Sequence, residues 1–529
     1  MADALTPVTV GMVGSRRRPV ALASLCTILF LTFLDNTVVS VALASIQSDL
    51  HGGVSALQWV VGAYALTFAS FMLAFGMLGD KFGRKKIMLC GAGVYCTGAA
   101  LAAVAPSIGV LIAARAVMGL GAAASEPGTL SMIRQLYQDE RSRNRALGVW
   151  AAVSGFSLAL GPVLGGALVG AWSWRGIMWF DVTFGLAALL VAAMILPESA
   201  DPAAGRVDVQ GTVLGAGALA ALIFGIIDGE TIGYAAPRVL ALFAVSLVAG
   251  AAFVLRERRA PFPLLDLRYL RVPRFATPNV VAYCTYFATF AIFFFTALYL
   301  GVIAGYSAYR VAALFVPMTV MMIIAALLAG RWTTSVGARW LLVVGCLLFA
   351  VGLLLTNLAI NPHAAYVPLA AALGVAGVGI GLCVVPITSS VLAAVPAERS
   401  GMAASATNTA REFGAVTGIA ILGAVVNAEL RSGLVSRMTH LHASAALQAY
   451  VLQVIETGSI SLNRASSAAG SGPLGQIIQA GFGAFTSALH AALYLSAALL
   501  GVAALLSAVT MRQHHPSQEL DAMPQRRAG

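Results

Sequence analysis

Fourteen apolar runs, most of them long enough to cross a bilayer, constrain this chain more than any other feature. A membrane-spanning helix needs about 20 apolar residues to cover roughly 30 Å of hydrocarbon. Runs of that order lie near 20–45, 57–78, 87–105, 109–132, 146–170 and 176–197. A pair follows near 209–228 and 238–256, and six more lie near 276–302, 308–330, 340–359, 364–392, 402–427 and 482–511. They are too long for strands and lack period-two alternation, so an all-α, polytopic membrane protein is expected. A water-facing surface is excluded, because soluble chains carry about 25% charged residues and this one carries 10%. The first run follows Arg16, Arg17 and Arg18, but no small-residue cleavage site closes it. It reads as an uncleaved first span.

The formal net charge of +11 invites a nucleic-acid reading until the charges are placed. Of the 32 Lys and Arg, about 24 fall in the two tails and in loops after even-numbered runs; about 6 fall in the opposite loops. Such a bias sets topology: the N-terminus in the cytoplasm and, with an even number of spans, the C-terminus there too. No nucleic-acid partner is expected. The six cysteines lie inside apolar runs without a C-x-x-C pair, so they read as packing residues and no metal site is expected.

A weak internal repeat divides the chain. FGMLGDKFGRKKIMLCGAG aligns with LAGRWTTSVGARWLLVVGC at an offset of about 254 residues, and Gly161 and Gly165 align with Gly414 and Gly418. Duplicated halves around a midplane site are an architecture of secondary transporters. The expected organisation is a tail at 1–19, a six-helix bundle at 20–200 and an inserted helix pair with linker at 201–272. A second six-helix bundle at 273–511 includes a long external loop at 428–481 whose stretch 445–455 suits a short interfacial helix, and a tail occupies 512–529.

Charges within a bilayer are costly, which makes each a functional candidate. They are Asp35 in the first run, Arg115 and Glu126 in the fourth, and Arg411 and Glu412 in the thirteenth. At 1.5 Å per residue, Asp35 lies about 22 Å from the inner surface and Arg115 about 9 Å below the outer one. The two heights agree to within the uncertainty of the span ends, so an ion pair is expected, one that protonation of Asp35 would break. Arg115 and Glu126 are about three turns apart and share a helix face with Met118, Gly119 and Ala122, which suits a cavity wall. Tyr64 and Trp150 are candidate aromatic lining residues. A purely structural role, stapling helices together, is the alternative for these charges.

The loop after the second run contains Gly76, Gly79, Asp80, Gly83 and Arg84, which suit a tight turn with an acid against a helix N-terminus. In the fifth run Gly155 precedes Gly161-Pro162-Val163-Leu164-Gly165-Gly166. Pro162 removes a helix hydrogen bond and the glycines admit a second helix, giving a bend and a packing seam.

Taken together, these features resemble the major facilitator superfamily, and specifically its fourteen-span drug–proton antiporter branch. LDNTVV at 34–39, GMLGDKFGRKK at 76–86, LIAARAVMGLGAAASEP at 111–127 and GPVLGG at 161–166 are similar to its motifs. WSWRGIMWFDVTF at 172–184 departs from it, lacking the Asn-x-Pro usually found near Asp181 to Thr183, and the loop at 330–340 has no acid. The resemblance implies two bundles rocking about a central cavity, with export of drugs or metabolites driven by proton influx. It makes Asp35 and Arg115 the coupling centre, and Asp80 and Arg84 a gate on the outward-facing state.

The expected function is multidrug efflux: proton-coupled export of amphipathic, often cationic, small molecules across the inner membrane of a bacterium. A monomer is expected, with no cofactor and the proton gradient as energy source. A dedicated exporter of one natural product, lipid or siderophore is the runner-up. A membrane enzyme would need a reactive constellation at one water interface, yet the seven His are scattered. A non-transporting sensor would need a cytoplasmic effector domain, and no segment is long enough.

Overall fold

The computed structural model describes residues 18–137, 139–198, 208–260, 263, 266–360, 365–395, 400–440 and 473–511. Every regular element among them is helical. α1 (Arg18–Val38) passes through a tight turn at Val39–Ala42 into α2 (Leu43–Leu50). α3 (Val54–Phe82), α4 (Arg84–Ala103), α5 (Ile108–Leu136), α6 (Glu140–Ala171) and α7 (Trp174–Ile195) complete the first half. The inserted pair is α8 (Val209–Ile232) and α9 (Pro237–Arg259). The second half opens with α10 (Pro273–Phe290), extended by π-type turns at Ala291–Thr296 and Tyr299–Ile303. α11 (Ala308–Ser335), α12 (Ala338–Ala359), α13 (Tyr366–Ala393), α14 (Ser400–His440) and α15 (Pro473–Thr510) follow.

Thirteen stretches among the described residues are long and apolar enough to cross a membrane. The fifth rod, α6, begins in the charged segment Glu140–Arg145 and continues through the apolar run read from sequence at 146–170. The chain is thus a multi-pass membrane protein. One boundary differs from expectation. Residues 428–440 and 473–481, read from sequence as external loop, continue α14 and α15; the first carries good helix formers (Glu429, Leu430, Arg431, Leu434, Arg437, Met438), and in the second Pro473 stands at the first helical position, where a missing N–H costs nothing. The remainder of that loop, including the interfacial stretch 445–455, and the tails at 1–17 and 512–529 lie outside the described residues.

Close glycine contacts make the repeat visible in space. Gly91 abuts the carbonyl of Gly121 and Gly98 abuts Met118, seating α4 on α5. Gly345 likewise abuts the carbonyl of Gly379 and Gly352 abuts Ala376, seating α12 on α13. Gly161 and Gly165 press α6 onto Thr37 and Val38, while Gly414 and Gly418 press α14 onto Tyr283 and Phe287 of α10. A Cβ at such positions would fall within van der Waals overlap of neighbouring backbone, so small residues set the interhelical distance. Each half also interrupts its first rod at the same register, at Val39–Ala42 and at Ala291–Thr296.

The halves meet along two seams, α3 against α14 and α6 against α11. α8 lies over the first seam: Ile223 and Ile227 pack with Ala65 and Leu66 of α3 and with Val416 and Ala420 of α14. The Trp59 and Phe224 rings of α3 and α8 meet there, centroids 4.4 Å apart and planes tilted by 42°. The outer partner α9 is almost wholly exposed along its apolar length, as expected of a helix bathed in lipid. One end of the molecule collects Arg18, Lys81, Lys85, Lys86, Arg256 and Arg258; at the opposite, far end Gly301 touches Ala44, Gly166 touches Ala312 and Gly423 touches Gln58.

Candidate functional site

α1 and α5 carry the ion pair expected from the depth arithmetic. Arg115 Nη1 lies 2.6 Å from both carboxylate oxygens of Asp35, and both side chains are fully buried. The surrounding helices fix the guanidinium. Its Nε donates to the carbonyl of Val60 at 3.0 Å, and its plane lies over the Tyr64 ring at 4.6 Å. The Tyr64 hydroxyl in turn donates to the carbonyl of Thr32 at 3.0 Å. Removing one member of a buried pair leaves an uncompensated charge, at a cost of about 3–5 kcal/mol. The pair is therefore a point where protonation and conformation can be coupled.

A second polar group lies on one face of α14. Asn408 Nδ2 donates to Glu126 Oε1 at 2.7 Å, and Asn36 Nδ2 donates to Glu412 Oε1 at 3.0 Å. Both bonds cross between the halves, in opposite senses. Arg411 donates to Asn408 Oδ1 at 3.2 Å and to Thr388 Oγ1 at 2.8 Å, which orients the Asn408 amide toward Glu126. Glu126 and Glu412 each keep one buried oxygen without a hydrogen-bond partner. Asn36 stands beside Asp35, so the cross-half bonds begin one residue from the ion pair. Formal charge alone does not point to Asn36 and Asn408; an amide in hydrocarbon is also costly, and Asn408 lies one helical turn before Glu412.

The other expected site residues fall as follows. Met118 and Ala122 share the fully buried face of α5 with Glu126, and Met118 Sδ accepts from Arg115 at 3.7 Å. Gly119, between them, is pressed against the carbonyl of Tyr64 in α3. Tyr64 belongs to the cage around Arg115. Trp150 donates to Thr129 Oγ1 at 3.0 Å inside the first-half core with Leu29, Phe33 and Met132. None of these side chains borders open space in this conformation.

At the basic end, Gly83 adopts φ +114° and its N–H bonds to the carbonyl of Gly79 at 3.0 Å, ending α3 before α4 begins. The turn is as tight as the sequence suggested, and Gly76 lies where α3 meets Pro127 and Ser405. The acid observed at the α4 N-terminus is Glu198, from just beyond α7, which accepts from the Lys85 N–H at 3.2 Å. Asp80 lies in α3 and its side chain is outside the described residues; Arg84 opens α4. Pro162 sits buried inside α6, Gly155 faces Val384, and Gly161, Gly165 and Gly166 form the expected close seam.

A fold of two related six-helix halves, meeting over buried charges in a multi-pass membrane protein, defines a membrane transporter. Comparisons agree. The family profile described as Major Facilitator Superfamily matches residues 25–419, and the chain belongs to that family. It is 33% identical over 406 residues to the "Multidrug resistance protein Stp" of Mycobacterium tuberculosis, covering 77% of this chain and 75% of that one. It is 32% identical over 415 residues to the "Multidrug efflux pump LfrA" of Mycolicibacterium smegmatis, covering 78% and 82%. With the "Methylenomycin A resistance protein" of Streptomyces coelicolor it shares 33% over 408 residues, covering 77% and 86%. Among solved structures, a bacterial homologue of the human lysosomal transporter Spinster, inward-facing and occupied, superposes with a TM-score of 0.64. That match has 17% identity and covers 93% of this chain and 97% of the other, a likeness of fold.

Proposed function

We propose that the chain is a proton-coupled antiporter that exports amphipathic, often cationic, drugs or antibiotics by alternating access. The observation behind this reading is the fully buried Asp35–Arg115 pair, held between α1 and α5 one residue from a hydrogen bond that spans the halves. A proton arriving on Asp35 removes its attraction for Arg115, and the loss propagates through Asn36 to Glu412 in the other half. The basic end faces the cytoplasm, following the distribution of Lys and Arg, in the inner membrane of a bacterium. Glu126, with its unpaired oxygen, supplies negative charge toward a cationic substrate once the halves part.

A dedicated exporter of one natural product is the second reading. It is favoured by relatives whose printed names attach them to single antibiotics, such as the "Tetracenomycin C resistance and export protein" of Streptomyces glaucescens, 31% identical over 416 residues. A susceptibility panel in cells expressing wild type or Asp35→Asn decides between them. Protection against several unrelated cationic compounds, lost in the variant, supports multidrug export. Protection against one compound only favours the dedicated reading. No protection from either protein counts against export altogether.

A further inference from the structure

Asp181, in α7, is a fully buried carboxyl that the mechanism above does not use. Neither of its oxygens has a well-formed hydrogen bond, and the Tyr95 hydroxyl is the one described donor that acts on it. The charged groups acting on it are Asp35 from α1 and Arg115 from α5, with the Tyr95 hydroxyl of α4 beside it. It acts in turn on Tyr64 of α3 and Cys96 of α4. Arg115 commits Nη1 to Asp35 and Nε to Val60, leaving Nη2 buried without a partner.

Two buried carboxyls face one guanidinium, and a net negative charge left in a dry interior is costly. One proton makes the trio neutral. Asp35 engages Arg115 through both oxygens and is the ionised member in this conformation, which leaves the proton to Asp181. We propose that Asp181 is a second proton-carrying carboxyl and the alternative counter-ion of Arg115. When the proton passes to Asp35, Arg115 turns its free Nη2 toward the newly ionised Asp181 and is never left unpaired. When the proton leaves the trio, the remaining negative charge is met by a cationic substrate, so one proton exchanges for one cation. The position falls where the chain departs from its family pattern, at 181–183. This inference rests on the proton-coupled reading above and adds a residue to it.

The test uses the full chain in lipid, as wild type, Asp181→Asn and Asp181→Glu. Infrared spectra at neutral pH are expected to contain a protonated, buried carboxyl band in wild type that Asp181→Asn removes. Thermal stability is expected to stay near wild type, since asparagine closely matches a neutral aspartic acid in shape. Proton-driven ethidium transport in liposomes is expected to fall to background in Asp181→Asn and to return in Asp181→Glu. An infrared spectrum unaltered by Asp181→Asn, or proton-driven ethidium transport retained in that variant, overturns the proposal. Wild type that transports ethidium with no response to a proton gradient sinks the parent reading instead, while the infrared comparison still decides the state of Asp181.

Discussion

In the first half Gly98 and Gly121 seat α4 on α5; in the second, Gly352 and Gly379 seat α12 on α13 against the corresponding partners. The charges do not follow the same duplication. By the register of those glycines, Leu373 occupies the place of Arg115 and Val384 that of Glu126, and both are buried apolar residues. The second half instead keeps Asn408, Arg411 and Glu412 on α14, where they answer the first half through Asn36 and Glu126. Packing in a bilayer depends on close backbone approach, which a duplicated glycine pattern supplies to both halves. Buried charge needs a specific partner, so a single ion pair in one half suffices. The molecule is symmetric in how it packs and one-sided in where it holds its fully buried ion pair.

Several substitutions sharpen or break that contrast. The largest effect is expected for Asp35→Ala, which removes the present partner of Arg115 and leaves it only the unengaged Asp181, at a cost of up to about 3–5 kcal/mol, read as a lower melting temperature of the purified protein in detergent. Leu373→Arg, which buries an unpaired guanidinium at the matching place in the other half, is expected to be at least as damaging. Wild-type stability in either variant would undo the claim that buried charge is tightly partnered. Next come Gly121→Ala and Gly379→Ala, each expected to cost about 1–3 kcal/mol through overpacking. Their melting shifts are expected to match, and a large inequality would break the packing symmetry. A double-mutant cycle on Asn408→Ala and Glu126→Gln is expected to give a coupling of about 1 kcal/mol; additivity would remove that cross-half bond from the account. The smallest effect belongs to Glu198→Gln at the α4 N-terminus, about 0.3–1 kcal/mol in the same melting assay, and a shift as large as that of Asp35→Ala would contradict its peripheral role.

The fold was legible because hydrophobic run length, loop charge and glycine spacing are each written locally. The Asp35–Arg115 pair was legible for a related reason: helical rise converts residue number into depth, and few charges compete for each level. Asp181 was visible as a letter but not as a member of the site, since its neighbours come from α1, α4 and α5 and only packing brings them together. The cross-half bonds of Asn36 and Asn408 were missed because amides carry no formal charge. Trp150 had no one-dimensional mark to separate a core aromatic from a lining one. The extension of α14 to His440 was hidden by a composition that suits loop and helix alike.

The most direct measurement is proton-linked ethidium accumulation in inverted membrane vesicles containing wild type or Asp35→Asn at equal abundance. Wild type should accumulate the cation when a proton gradient is imposed, and Asp35→Asn should fall to the level of vesicles without the protein. Equal accumulation in the two would contradict the assignment of coupling to this pair.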